Sequence, residues 1–196
     1  MGRLAEELKK GAASMEGLAA WLDGLDHETR VAEIRALGPS AQKTLWELAK
    51  HEKAQIDEMV TPQTAPLQPV RHFGRNTLPV FKMFEKHFCR PSPEVAENVL
   101  WGFNEGSTRA FVGPGYFVCR ETGDDERGAV VIDYTLLPEG KPDQWPDISP
   151  NEKFPSNLVY AGMHDFMRRV SRHVTIGRAW RKGKRTDNYF MLCREE

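Results

Sequence analysis

The chain has 196 residues, of which 40% are hydrophobic and 28% are charged, and its formal net charge is −1. This composition is typical of a folded globular protein and excludes a disordered chain, while a net charge so close to zero indicates no class of partner. No apolar run approaches the roughly 18 residues of a membrane-spanning helix, and the charged N-terminus lacks the apolar stretch of a signal peptide, so we expect a cytoplasmic protein without a membrane span.

The first part of the chain, 1–60, is predicted to form three helices. Ser14 and Asp26 stand ahead of two runs of apolar residues at helical spacing, and Ser40 can cap a third run that extends to Met59. Each helix has a single narrow apolar stripe. We therefore expect the helices to pack against the rest of the chain rather than to form a core by themselves.

Residues 61–76 are predicted to form a proline-rich strap. Pro62, Pro66 and Pro69 remove backbone donors and disfavour helix in the residues before them. The strap is the best candidate for a boundary between the N-terminal helical region and an α+β region at 77–196. We expect the two regions to form one compact unit.

Two further helices are predicted directly after the strap. In 77–89, three phenylalanines fall on one side of a helix, and a proline suits its first turn. Ser92, which is followed by a proline, opens a short helix that continues to Leu100.

The second half of the chain favours strands. The runs at 116–137 and 174–194 are each interrupted by a turn-rich segment and are predicted to form two β-hairpins. Between them a helix is predicted at 157–172, with Met163 and Phe166 on its apolar stripe. The predicted fold class is therefore α+β, with N-terminal helices packed on an antiparallel sheet built from two β-hairpins with an intervening helix.

A long connection, 138–155, lies between the first hairpin and the predicted helix. It holds five of the chain's thirteen prolines, and Trp145, Ile148 and Phe154 give it apolar anchors. A loop of this length inside a compact domain is uncommon and often functional. We expect it to pack across the sheet, either as a cover over an apolar surface or as a lid over a pocket.

Known catalytic motifs are absent from the sequence, which contains no nucleophile elbow, zinc-protease helix or phosphate-binding loop. The three cysteines are far apart, which excludes a disulfide framework. The six histidines form no i,i+4 pair with a supporting carboxylate, so we predict no metal site and no cofactor. An enzyme with a dispersed site is an alternative, and it would draw on His164, His173, Asp133 and Tyr134.

Basic residues are concentrated near the C-terminal end, since eight of them and no acidic residue occur between Phe166 and Thr186. This excess favours recognition of a phosphate, a carboxylate, a nucleic acid or an acidic protein. The simpler interpretation is a solvated face with ion pairs. The candidate anion-binding surface comprises Arg168, Arg172, Arg181, Lys182, Lys184 and Arg185.

Arg178 is the most unusual residue of the second hairpin. Strand alternation places it on the same face as Val174, Ile176 and Trp180, so its side chain is predicted to point inward. A buried guanidinium needs acceptors, and Asp133 is the favoured partner because it stands on a strongly apolar strand. Such a pair is either structural or presents the arginine to the carboxylate or phosphate of a ligand.

Taken together, the sequence favours a non-enzymatic binding protein for a small or lipid-like ligand with an anionic group, held between the sheet and the 138–155 loop. The predicted ligand-binding residues are Arg178, Asp133, Tyr134, Trp180 and Trp145. One alternative is a regulatory or nucleic-acid-binding module that uses the basic surface over 168–185, and the other is the dispersed enzyme. Candidate partners are an anionic small molecule or lipid, a nucleic acid and an acidic protein, and no pattern indicates an oligomeric state.

Overall fold

Eight antiparallel strands close into a β-barrel in the computed structural model, which describes residues 2–11 and 14–196. Each strand pairs with the next one along the chain, and the last strand pairs with the first, so the sheet closes on itself. The strands are β1 (Val70–Asn76), β2 (Met83–Cys89), β3 (Val99–Glu105), β4 (Phe117–Glu121), β5 (Val130–Asp133), β6 (Met163–Arg169), β7 (Val174–Arg181) and β8 (Lys184–Arg194).

Short helices precede the barrel, and one more lies within a loop between strands. They are α1 (Arg3–Lys10), α2 (Met15–Asp23), α3 (His27–Ala36), α4 (Pro39–Leu48), α5 (Ile56–Met59) and α6 (Arg109–Val112). The predicted region 1–60 includes residues 1, 12 and 13, which lie outside the described residues. Within residues 2–11 and 14–196, no helix combines the length and the apolar character that crossing a membrane requires.

Two of the predicted helix caps are confirmed. The backbone N–H of Gly17 donates to Ser14 Oγ at 3.1 Å, and that of Thr29 donates to Asp26 Oδ1 at 2.9 Å. The third predicted helix is shorter than expected and ends at Leu48. A 3-10 turn at Ala49–His51 follows it, and Lys53 then forms an isolated bridge with Arg168 of β6 before α5 begins.

The predicted fold class is wrong, because the α+β sheet of two hairpins is in fact one closed barrel. The hairpins at 116–137 and 174–194 contribute β4, β5, β7 and β8 to it. The segments assigned to helices at 77–89, 92–100 and 157–172 contain β2, the first two residues of β3, and β6 respectively. β1 occupies the last residues of the predicted strap.

The predicted helix at 157–172 is a 3-10 turn at Ser156–Leu158 followed by β6. β6 is buried on both faces, since Phe166 packs beneath the N-terminal helices while Met167 faces the lumen. A strand that is covered on both sides carries apolar residues at successive positions. Its pattern then matches a helical stripe as well as a strand, and the barrel topology decides between them.

The other two misassigned segments are turns that lead into β2 and β3. Phe84 and Phe88 are four residues apart, a spacing that suits one side of a helix and equally one face of a strand. In the structure both rings belong to the apolar cluster that fills the barrel lumen, and Phe88 is more deeply buried than Phe84. The strand is selected because β1 and β3 on either side offer backbone groups that only a strand can satisfy.

Three apolar clusters stabilise the barrel. One fills the lumen, and a second lies between the outer face of β5–β8 and the N-terminal helices. The third lies on the outer face of β3 and β4 beneath the 138–155 loop, where the Trp145 ring contacts Phe103 and Tyr116 at centroid distances of 5.0 and 6.4 Å. The loop therefore covers an apolar surface outside the barrel.

The two ends of the barrel differ. At one end α5 acts as a plug, because Ile56 and Met59 belong to the apolar cluster that fills the lumen. The Met59 sulfur lies 3.8 Å from the Cys119 sulfur. The opposite end opens into a cavity. The loops that leave this open end are 77–82, 106–116, 134–162 and 182–183.

Candidate functional site

The cavity occupies the upper lumen of the barrel and has a volume of about 330 Å³. β2 lines it with Phe84 and Lys86 but not with Phe88, so Lys86 marks its floor. Apolar side chains from the loops form the upper wall, among them Leu78, Phe81 and Val159. A concave, mostly apolar site with a few convergent polar groups is the usual form of a small-molecule pocket.

Four polar side chains meet at the floor of the cavity. Strand alternation directs Lys86 of β2, Asn104 of β3 and Asp165 of β6 into the lumen, and Tyr134 follows the end of β5 on the same side. Lys86 Nζ donates to Asn104 Oδ1 at 2.7 Å and to the Tyr134 hydroxyl. We call these four side chains the polar cluster of the lumen.

Asp165 completes the hydrogen bonding of this cluster. Its Oδ2 lies 3.5 Å from Lys86 Nζ and accepts a hydrogen bond of 3.2 Å from the Tyr134 hydroxyl. Lys86 is only 2% exposed and Asp165 only 5%. An ion pair buried this deeply gains from attraction but loses the hydration of both charges.

Aromatic rings surround the Lys86 ammonium. Its Nζ lies 5.0 Å from the ring centroid of Tyr134, 5.1 Å from that of Phe117, 5.2 Å from that of Phe190 and 5.6 Å from that of Phe84. The faces of aromatic rings attract cations at this range, and more strongly where water is excluded. The rings therefore offset part of the cost of burying the ammonium.

Burial shifts the pKa values of Lys86, Asp165 and Tyr134 in the directions that favour their uncharged forms. Loss of hydration lowers the pKa of Lys86, which the carboxylate of Asp165 opposes. The same cause raises the pKa of Asp165, which Lys86 opposes, and raises that of Tyr134. The pair carries no net charge either as ammonium and carboxylate or as amine and acid.

Of the predicted ligand-binding residues, Tyr134 lies in the cavity. Arg178 is buried, as alternation predicts, but it lies on the outer face of β7, as does Trp180, whose ring contacts Trp46 of α4 at 6.2 Å. The arginine pairs with Asp187 at 2.9 Å and not with Asp133. Its site is therefore the layer beneath the helices rather than the lumen.

Asp133 also lies on the outer face, where it faces a histidine and an arginine. Its carboxylate is 3.3 Å from His164 Nε2 and 3.6 Å from a guanidinium nitrogen of Arg120. His173 is at the plugged end of the barrel, where its Nδ1 lies 3.2 Å from Arg194. The structure therefore brings together two residues of the dispersed-enzyme alternative, His164 and Asp133 on the outer face, but it places Tyr134 in the lumen and His173 at the plugged end.

A groove lies between the predicted lid and the sheet, where the sequence placed the ligand. It has a volume of about 470 Å³, and Trp145 forms part of its wall. It is more open than the lumen cavity. Its two arginines are already paired, Arg71 with a carboxylate oxygen of Glu195 and Arg109 with one of Glu105 at 2.7 Å.

The predicted anion-binding surface divides into buried and exposed parts. Arg168 is buried, lies 3.8 Å over the ring of Trp46 and donates to the carbonyl oxygens of Trp46 and Glu126. Arg172 is exposed at the plugged end, where its backbone N–H donates to Asp23. The exposed residues at the open end are Arg181, Lys182, Lys184 and Arg185.

Sequence reasoning missed Lys86, Asn104 and Asp165. The signal was available as a charged residue between apolar neighbours two positions away: Phe84 and Phe88 flank Lys86, and two methionines flank Asp165. The helix assignments concealed it, because alternation has meaning only in a strand. Among residues 2–11 and 14–196, no three His, Cys, Asp or Glu residues are grouped so as to hold a metal ion.

The fold and the cavity define the protein as an up-and-down β-barrel whose lumen is accessible from one end. Comparisons with protein-family models, with curated proteins and with solved structures gave no match. A closed barrel with an internal cavity is compatible with ligand binding.

Proposed function

We propose that the protein is a non-enzymatic binding protein for a small, lipid-like molecule with an anionic group. The anionic group binds Lys86 at the floor of the cavity, and the apolar part of the ligand extends toward the mouth. The observation that carries this proposal is the lysine itself, buried among aromatic rings at the floor of an open cavity.

Filling the lumen of a barrel with a lysine costs free energy that an apolar side chain does not cost. Burying an ammonium removes its hydration, and an apolar side chain of similar volume avoids that cost. Around Lys86 the lumen is filled by apolar residues, which shows that this barrel can be packed without charge. A cation at the cavity floor is explained by a ligand group that it meets.

The distribution of polarity sets the orientation of the ligand. The donors lie at the floor, whereas Leu78, Phe81 and Val159 form the upper wall. An amphipathic acid therefore binds with its carboxylate deep and its chain toward the mouth. We favour the lumen over the groove beneath the 138–155 loop because Lys86 is only 2% exposed, whereas the side chains of Arg71 and Arg109 in that groove are 46% and 41% exposed and remain hydrated.

Asp165 makes the binding of an anion depend on protons. The free pair of Lys86 and Asp165 has no net charge, so an added carboxylate leaves the buried site negative unless one proton is taken up. The proton either binds Asp165, because burial already raises the pKa of that carboxyl group, or converts a neutral Lys86 amine to its ammonium form. Affinity therefore rises as pH falls.

The first test is calorimetric titration with decanoate. Lys86→Met should weaken binding about ten- to a hundredfold, the usual worth of a hydrogen bond to a charged group, because it leaves Asp165 facing the anion. The control is Lys43→Met, which removes an exposed lysine from α4 and should bind as the wild type does. Equal affinities of the two variants would contradict the proposal.

The second test uses Asp165→Asn. This change keeps the hydrogen-bond geometry but leaves Lys86 as the only ionisable member of the pair. We expect tighter decanoate binding at the low end of the range from about pH 6 to about pH 8, where Lys86 is most readily protonated and no carboxylate competes with the anion. Decanoate stays ionised throughout this range because a carboxylic acid titrates near about pH 4.3. Wild-type binding should take up a proton in the same range, measured from heats in buffers of different ionisation enthalpy. Wild-type affinity that is independent of pH would contradict the role given to Asp165.

A further inference from the structure

Large apolar side chains are exposed around the open end of the barrel. In residues 2–11 and 14–196, the exposed large apolar residues other than Leu48, Leu67 and Val95 belong to the start of β2 or to the loops that leave this end. Six of them form what we call the mouth fringe: Leu78, Val80, Phe81, Phe111, Leu158 and Val159.

The mouth fringe is continuous with the cavity. Leu78, Phe81 and Val159 also line the cavity wall. Phe111 is 78% exposed and stands next to Val112, another residue of the cavity wall. Exposed apolar surface of this kind, arranged around an opening, marks a place where a protein meets a partner or a membrane.

A basic turn lies directly beside the mouth fringe. The backbone N–H of Lys182 donates to the carbonyl of Gly162 at 2.7 Å, and Arg181 Nη2 donates at 2.9 Å to the carbonyl of Asn157, the residue before Leu158. The turn between β7 and β8 is therefore held against the loop that carries the fringe. We call its exposed cations the basic turn: Lys182, Lys184 and Arg185.

We propose that the open end docks on the surface of a bilayer that contains anionic phospholipids. The side chains of the mouth fringe enter the interfacial region, and the basic turn meets the negative headgroups. Lys82, which follows Phe81 in the chain, adds a further exposed cation at the same end. Docking sets the cavity mouth against the bilayer, so that a lipid-like ligand passes between membrane and lumen without crossing water, a step that rests on the proposed function.

The combination of apolar and basic surface selects this occupant. A nucleic acid is attracted by the basic turn but gains little from exposed leucine and valine. Association of two copies through their open ends brings two basic turns together, and like charges oppose it. An anionic bilayer satisfies both the mouth fringe and the basic turn.

Vesicle co-sedimentation tests the proposal. The protein should bind vesicles of phosphatidylcholine mixed with phosphatidylglycerol at least about tenfold more strongly than vesicles of phosphatidylcholine alone, and less strongly as salt is raised. Two triple variants should each lose more than about tenfold in binding to the mixed vesicles. They are Val80→Ser with Phe111→Ser and Leu158→Ser, and Lys182→Gln with Lys184→Gln and Arg185→Gln.

A matched control removes exposed apolar side chains elsewhere. Leu48→Ser with Leu67→Ser and Val95→Ser should bind the mixed vesicles as the wild type does. Leu48 is the last residue of α4, Leu67 precedes β1, and Val95 lies between β2 and β3, so none of them belongs to a loop that leaves the open end. Equal binding to both kinds of vesicle would overturn the proposal. A dimer seen by sedimentation velocity that the mouth-fringe variant dissociates would overturn it as well, since a second copy would then be the occupant.

Lys86→Met separates this inference from the proposed function. The variant should keep vesicle binding while losing decanoate binding, because Lys86 lies inside the lumen. The mouth-fringe variant should keep decanoate binding while losing vesicle binding, because Val80, Phe111 and Leu158 are outside the cavity wall. Loss of vesicle binding in Lys86→Met would count against docking by the surface described here.

Discussion

Arg178 shows what can be inferred at the scale of a single residue. Its Nε donates to the carbonyl of Thr186 at 2.8 Å and its Nη2 to Asp187 at 2.9 Å, and its guanidinium lies 4.7 Å from the ring centroid of Tyr189. Alternation correctly predicts its burial. It does not identify the partner, because Asp133 lies on the same outer face of the barrel but on β5, two strands away.

The two members of this pair should contribute unequally to stability. Arg178→Ala should lower the free energy of unfolding by about 1–3 kcal/mol, because the change leaves a carbonyl without its donor and removes buried packing. Asp187→Asn should lower it by about 0–1 kcal/mol, since the carboxylate is 84% exposed. Urea unfolding measures both changes. Neither variant should alter decanoate affinity. A loss of affinity in Arg178→Ala would indicate that the ligand binds at the outer face and not in the lumen.

At the scale of the element, glycines make room for rings in the lumen. Gly177 of β7 stands opposite Phe190 of β8, and a Cβ added to the glycine would lie 2.1 Å from the ring carbon Cζ. Gly74 stands opposite Phe84 in the same way. These glycines are not needed for turns; each one lets a neighbouring strand place a large side chain inside a narrow barrel.

Gly177→Ala should therefore destabilise the barrel by about 1–3 kcal/mol, because the added methyl group forces Phe190 out of its position. Replacing Phe190 by Leu in the same chain should recover part of the loss. Gly106→Ala is the control, since its nearest neighbour, Phe84 Cβ, would be 3.7 Å from the new methyl group. Thermal unfolding measures all three, and an equal loss at the two glycines would contradict this account of the lumen.

At the scale of the whole molecule, the N-terminal helices and the barrel share one apolar layer. Leu45 and Trp46 of α4 belong to the same cluster as Ile176, Trp180 and Tyr189 of the barrel. We infer that the predicted regions 1–60, 61–76 and 77–196 unfold together as one cooperative unit, because neither side of this layer is covered without the other.

Leu45→Ala tests this unity. The leucine is fully buried, so its loss should lower the free energy of unfolding by about 2–5 kcal/mol. The helical signal at far-ultraviolet wavelengths and the aromatic signal of the barrel should shift to the same lower midpoint. Leu48→Ala, on the exposed side of the same helix, should change stability by less than about 0.5 kcal/mol. Separate midpoints for the two signals would show two independent domains.

The local features of the chain follow from its sequence. Three predicted features depend only on residues that are neighbours in the chain. They are the caps at Ser14 and Asp26, the strands of the last hairpin and the burial of Arg178. Periodicity is informative for these elements because one of their faces is polar or because a cap marks where they begin.

Tertiary structure decided the rest. β2 and β6 are covered on both sides, so their apolar residues recur at spacings that fit a helix, and only pairing with neighbouring strands selects the extended form. The same closure brings Lys86, Asn104, Tyr134 and Asp165 together from four strands or strand ends. Their meeting depends on the register and the order of strands around the barrel, which are properties of long-range pairing rather than of any single segment of sequence.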